Sequence, residues 1–507
     1  MAQLRTNQRG SAVTLKFLLA GSLGLSLILT GCASVSETTT TSAAPKPAEK
    51  VADKSPPKPL RAGLDPWANP DPFPSTYKPL PSKATAIIGA TILTGTGDEI
   101  QNGVVVMDGG KIVAVGKDIA PPTGAVIVDG HGKWVTPGVI DPHSHLGVYA
   151  SPAVEAQSDG NEATDPNTAN VWAEHSVWPQ DAGFNRALAG GVTTMQILPG
   201  SANLFGGRSV VVKNAPSTTV QAMKFPGAPY GLKMACGENP KRVYGGKGRA
   251  PSTLMGNVAG YRAAWIQAAD YVRRWDEYKA KVAKGEKADP PQRNLTLDTL
   301  GGVLKGEILV QNHCYRADEM AQMIDISREF GYHISAFHHA SEAYKIAPVL
   351  AKEGICVDTW AQWWGFKMES FDGLEENAAM VDHAGGCAIV HSDDAHLIQH
   401  LNVEAGVAMA AGNRAGLNIT RGRAIRWITA NPAKSLGILD KVGTLEPGKM
   451  ADVVLWSHDP FSVYAKAEKV FLDGALAYDV NDPSKQPKSD FELGQPSARD
   501  ILNGAKP

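Results

Sequence analysis

His143 and His145 stand in VIDPHSHLG, directly after a run of strand-forming apolar residues. Residues two apart on a β-strand project to the same side, so the pair can share a ligand. H-x-H alone describes two hydrogen-bonded histidines equally well. Further candidates close later apolar runs: Lys233 in GLKMACGENP, His313 in ILVQNHC, His338 and His339 in ISAFHHA, Asp393 and Asp394 in AIVHSDD. Imidazole and carboxylate donors suit a borderline divalent ion such as zinc. Two ions need a bridge. A lysine buried beside cations is disfavoured as an ammonium, and a neutral Lys233 can add carbon dioxide to become a carbamate with two oxygens. Glu238 could bridge without modification, and Lys233 could equally be a core lysine whose stem packs on its neighbours.

These residues need elements that bring them together. Strand ends are read at WVTPGVIDPHSH, TTMQILPG, PYGLKMACGE, GEILVQNHCY, HISAFHHA, ICVDTW and CAIVHSDD, with helical periodicity between, as in ADEMAQMIDISREFG. Repeated β-then-α units over about 300 residues predict a (β/α)8 TIM barrel across 137–436, an α/β fold whose chemistry collects at the C-terminal strand ends. Strand-length runs at AIIGATILTGTGDEIQNGVVVMDGGKIVAVG and GTLEPGKMADVVLW predict a small β-sandwich domain built from flanking segments, 83–136 and 437–478. Residues 255–300 form an excursion with an amphipathic helix, and the polar tail 479–507 is uninformative.

The chain has 507 residues, 43% of them hydrophobic and 20% charged, with a net charge of −2. That balance argues against nucleic acid or an anionic lipid surface as partner. Basic residues Arg5, Arg9 and Lys16 precede the apolar run FLLAGSLGLSLILT, predicting a secretory signal over 1–31. Residues 33–82 hold eleven prolines, so 32–82 reads as a flexible tether. Cys236, Cys314, Cys356 and Cys387 are scattered without a zinc or disulfide pattern and read as small buried hydrophobes.

TPGVIDPHSH, GLKMACGENPKRVYG, HCYRADE, HHASEAYK and ITANPAKSLGI with GTLEPGKMADVVLW together resemble the metal-dependent amidohydrolase superfamily, close to its imidazolonepropionase-like and prolidase-like branch. Leu29-Thr30-Gly31-Cys32 resembles a bacterial lipobox, which implies lipidation at Cys32 and, with Ala33 following, an outer-membrane protein facing the periplasm. The superfamily resemblance implies that His143 and His145 hold one metal completed by Asp393. It implies His313 and His339 on a second, with Lys233, carbamylated, or Glu238 joining two zinc ions. His339 is preferred to His338 because H-x-[ST]-E-x-Y fits His339, Ser341, Glu342 and Tyr344; Asp393 is preferred to Asp394 because it directly follows Ser392 and the strand.

Water beside two such ions loses a proton near neutral pH and becomes a nucleophile, and Asp393 would move that proton to the leaving amine. The expected reaction is hydrolysis of an amide C–N bond in a small molecule. Glu238, Asn239, Lys241, Arg242, Tyr315 and Arg316 are the expected substrate contacts, the basic ones suiting a carboxylate. Two readings compete. A mononuclear deaminase would carry a glutamate where this chain has Arg316. A non-catalytic surface lipoprotein would keep the barrel as a binding scaffold, with ligands lost. A homo-oligomer is left open.

Overall fold

The computed structural model describes residues 59–486, apart from 152 and 364. The expected signal, Cys32, the start of the Pro-rich stretch and most of the tail lie outside the described residues.

Five strands come first: β1 (Thr85–Leu93), β2 (Glu99–Asp108), β3 (Lys111–Gly116), β4 (Val126–Asp129) and β5 (Trp134–Pro137). Four follow as β6 (Val139–Ser144), β7 (Val192–Ile197), β8 (Phe205–Lys213) and β9 (Gly231–Ala235). Then come β10 (Leu309–Cys314), β11 (Ile334–His339), β12 (Cys356–Thr359) and β13 (Cys387–Val390). The last are β14 (Val453–Trp456), β15 (Ala467–Leu472) and β16 (Ala475–Asp479).

β14 to β16 return to the first five strands, in the order β16-β15-β14-β5-β1-β2-β3 with β4 also on β1. Segments flanking the barrel therefore share one sheet domain. The two layers of a sandwich are here joined by hydrogen bonds into one branched sheet. Thr85–Ile88 of β1 pair with β4 while Thr91 and Ile92 pair with β5. Register shifts between Ile88 and Ala90 and between Ala90 and Ile92 mark the irregular stretch of β1 that separates the two halves.

β6 to β13 make the second sheet, each beside its neighbour in sequence. All adjacent pairs are parallel except those of β8, which runs antiparallel to β7 and β9. The regular (β/α)8 alternation expected from the sequence is thus broken at β8. No helix separates β7 from β8, so the chain reverses as antiparallel neighbours can, whereas parallel neighbours need a crossover. Helices Ala317–Phe330, Ala347–Glu353 and Asn377–His383 supply such crossovers between β10 and β13. The seam between β6 and β13 is bridged just past the strand ends. Asp393 N–H donates to the His143 carbonyl at 2.9 Å, and Ser392 N–H to Asp141 Oδ1 at 3.2 Å. The result is a nearly closed eight-stranded barrel whose strands contribute Met195, Leu232, Met234, Val310, Phe337, Val357 and Val390 to the main buried core shared with the surrounding helices.

The excursion is a 30-residue helix, Leu254–Ala283, capped by Thr253, whose side chain accepts from Gly256 N–H. Tyr261, Trp265, Ala268, Tyr271 and Trp275 recur at helical spacing and are all buried. Residues 59–82, expected to be part of a flexible tether, are instead tied to the folded body. Trp67 packs on Tyr271 and Trp275, Asp71 pairs with Lys224 at 2.8 Å, and Tyr77 donates to Asp473 at 2.5 Å. A second correction concerns the cysteines. Cys236 is bonded to Cys314, and Cys356 to Cys387. Neighbouring strands bring each pair together; Cys356 and Cys387 face each other in register.

Candidate metal centre

His143 lies near the end of β6, and its tautomer is set from a distance. Gln311 donates its Nε2–H to the Ser435 carbonyl at 3.2 Å, so its Oε1 faces His338 Nε2 at 2.7 Å and must accept. His338 Nδ1 is then an acceptor, and His143 Nδ1–H donates to it at 2.9 Å. This leaves a lone pair on His143 Nε2, the atom that faces Lys233 Nζ at 3.2 Å and Asp393 Oδ1 at 3.3 Å. His145 is fixed more simply: Nδ1–H donates to the Leu198 carbonyl at 2.8 Å, and Nε2 lies 3.0 Å from the same Asp393 oxygen. Partners that fix the far nitrogen of a ligating histidine are a recurrent feature of metal sites.

Burial and charge favour the ligating forms. Burial holds His143, His313, His338 and His339 well below the usual imidazole range, with Lys233 among the neighbouring charges that add to it. His391 is held down to about 3 by burial. Neutral imidazole is the form that binds metal. Burial opposes the charge on Asp393, yet hydrogen bonding and charge from His145, then His391 and Lys233, hold its carboxyl below the usual range. Lys233 is pulled down to about 7 by burial. Asp358 and Asp141 are pushed up by burial, Asp141 to about 7.

Among the described residues, three sets of three ligand atoms lie within 4.8 Å of one another: His143, His145 and Asp393; His143, His339 and His391; and Cys236, Cys314 and Glu319, whose cysteines are already joined in a disulfide. His313 sits against His339, with ring centres 4.5 Å apart, but belongs to none of these sets. Asp394 is in neither of the histidine sets and accepts from the N–H groups of His396 and Leu397 at 2.7 and 2.8 Å.

A model of the amidohydrolase family matches residues 134–481. This chain belongs to the amidohydrolase family. The amidohydrolase tasK of Hapsidospora irregularis is 33% identical over 375 residues, 71% of this chain but only 38% of that protein. An imidazolonepropionase of Agrobacterium fabrum is 25% identical over 385 residues, covering 70% of this chain and 84% of that one. Among solved structures, an amidohydrolase from Thermotoga maritima superposes with a TM-score of 0.71 at 35% identity, covering 78% of this chain and 100% of that one.

The amidohydrolase family is generally metal-dependent, and the donors of this member fit a divalent ion. His313 Nδ1, His339 Nδ1 and both ring nitrogens of His391 are buried without a hydrogen-bond partner. Leaving a buried polar group unpaired costs about 1–3 kcal/mol each, a cost that ligation removes.

A cavity of about 750 Å3 opens onto His145 and Asp393 and is also lined by Tyr149, Arg186 and His396. The expected substrate contacts of this amidohydrolase divide in two. Tyr315 stacks on His339 at 5.1 Å, and Asn239 Nδ2 approaches His313 Nε2 at 3.4 Å. Glu238 faces Lys367, 3.9 Å away, and is in neither histidine set. Arg316 pairs instead with Asp318 at 3.0 Å, Arg242 is exposed, and Lys241 is half-buried on the helix Glu238–Gly245.

Sequence reasoning did not single out His391, Gln311, Trp360 or Lys367. Trp360 stacks on His339 at 4.4 Å, and Lys367 Nζ sits 4.0 Å over the Tyr315 ring. Only His391 carried a usable signal: it precedes Asp393 by two residues, as His143 precedes His145.

Proposed function

We propose that this amidohydrolase hydrolyses the amide C–N bond of a small molecule, linear as in a dipeptide or N-acyl amino acid, or cyclic. The observation that carries the reading is the convergence of His143 and His145 on Asp393 beside an open cavity. When bound there, zinc-like divalent ions would polarise a carbonyl and acidify a water. His143, His145 and Asp393 would hold one ion, His313 and His339 the other.

Lys233 is the preferred bridge. Its amine, neutral in good part near pH 7, can attack carbon dioxide and lose a proton to leave a carbamate. Its place against His143 favours it over Glu238, which faces Lys367. Asp393, charged at neutral pH, would take the proton of the attacking water and deliver it to the departing amine. Arg186 on the cavity wall suits a substrate carboxylate, a role that Arg316, paired with Asp318, does not fill.

The deaminase reading predicts ammonia as product and about one metal per chain; the hydrolase reading predicts an acid, an amine and about two. A scaffold with binding only would have shed ligands, whereas this chain keeps donors at every expected strand end. A zinc-reconstituted screen across dipeptides, N-acyl amino acids and cyclic amides, with product analysis, decides among the three.

We also place the chain in the bacterial cell envelope, anchored through a lipid on Cys32 and facing the periplasm. Two disulfides suit an oxidising compartment. Among the described residues no helix is long and apolar enough to cross a membrane. Labelled fatty acid should enter the wild-type chain in its host and not Cys32→Ala; equal labelling would exclude the anchor.

A further inference from the structure

His391 is fully buried, and neither ring nitrogen has a hydrogen-bond partner. Its ring lies 5.0 Å from that of His143, nearly parallel at 22°, and 5.1 Å from that of His339. One of its nitrogens falls within 4.8 Å of ligand atoms on both. Trp360 covers it at 4.9 Å. A buried imidazole serving only as filler would be expected to pair at least one nitrogen. His338, equally buried, does so with Gln311 and His143. His391 is the one of the pair left open toward the site.

We propose that His391 is a metal ligand of this centre. With His339, and with His143 when that ring is not engaged beside Asp393, it forms a three-imidazole subsite. Three imidazoles with a fourth position left open is an arrangement zinc adopts in catalytic sites. The lone pair of His143 Nε2 serves one ion at a time, so the two histidine sets compete for it. When His143 is taken by the His145 and Asp393 side, His391 remains beside His339 as a second imidazole for the other ion. This inference rests on the metal-dependent reading above.

The test uses metal binding, not turnover. Purified full chains are stripped and titrated with zinc against a chromophoric chelator, then loaded with cobalt for absorption spectra. His391→Ala should release its more weakly held zinc at least tenfold more readily than wild type, with the far-ultraviolet circular dichroism of the metal-free chain unchanged. His391→Cys should restore binding and add thiolate-to-cobalt charge-transfer absorption, which appears only if position 391 reaches the ion. Zinc affinity in His391→Ala equal to wild type, or cobalt-loaded His391→Cys without that absorption, would overturn the proposal. A wild-type chain that binds no metal would overturn the functional reading along with it, which separates the two failures.

Discussion

Asp393 meets His143 twice: its backbone N–H donates to the His143 carbonyl at 2.9 Å, and its Oδ1 lies 3.3 Å from His143 Nε2. The first contact helps close the barrel between its first and last strands. The second places the carboxylate against the candidate ligands. Asp393 holds a positive φ of 58°, uncommon for a residue with a side chain, and the seam contacts keep it there. Structure and chemistry thus share one residue.

Asp393→Asn keeps the shape and the seam contact but removes the proton acceptor. Turnover should fall by about 10²–10⁴-fold, with the melting temperature changed by only a few degrees. Kinetics and thermal melts on the same preparation check this.

Gln311 touches neither candidate ion, yet it sets the tautomer of His338 and through it that of His143. Gln311→Leu should weaken zinc binding by about 10–100-fold, as losses behind a ligating histidine do. Chelator competition measures it, and unaltered affinity would show that the ring orientation is fixed by packing alone.

Much of this was legible in the residues. His143, His313 and His339 lie in the last two positions of their strands, Lys233 lies within β9 and Asp393 shortly past β13, and a barrel gathers those ends. His391 stands two residues before Asp393, the spacing of His143 and His145, though both follow β13 rather than lie in it. β8 was hidden because FGGRSVVVK follows β7 with no helical pattern between. Lys367 and Trp360 sit in an irregular segment whose placement comes from tertiary contacts. Trp67, Asp71 and Tyr77 lie in a Pro-rich run without periodicity, and what fixes them is spread along the chain at Tyr271, Lys224 and Asp473. The cysteine pairs are 78 and 31 residues apart and meet only through strand order.

That strand order makes a prediction of its own. Replacing Cys356 and Cys387 by alanine removes a cross-link closing a 31-residue separation. Stability should fall by about 2–4 kcal/mol, read as a lower melting temperature under non-reducing conditions. An unchanged value would mean that the pair is not bonded in the folded protein.

Glu319 gives a pH signature away from the metal ligands. A Cβ at Gly237 would lie 2.5 Å from Glu369 Oε1 and 3.0 Å from Glu319 Oε2, so both carboxyls crowd one point. Burial, then the charge of Glu369, pushes Glu319 up from 4.5 to about 7. Between those values the folded chain binds more protons than the unfolded one, so this group makes stability fall as pH rises through that window. Glu319→Gln should flatten the loss between about pH 5 and about pH 8 and melt higher than wild type at the upper end. Parallel melting curves would contradict the assignment.

The central claim is metal-dependent hydrolysis of an amide C–N bond at Asp393 and its histidines. Its most direct test follows acid and amine release by stripped, zinc-reconstituted and Asp393→Asn protein across dipeptides, N-acyl amino acids and cyclic amides. The account predicts equal amounts of acid and amine from at least one amide, lost on stripping, restored by zinc and absent in Asp393→Asn. Zinc-loaded protein that hydrolyses none of them, or Asp393→Asn protein as active as wild type, would contradict it.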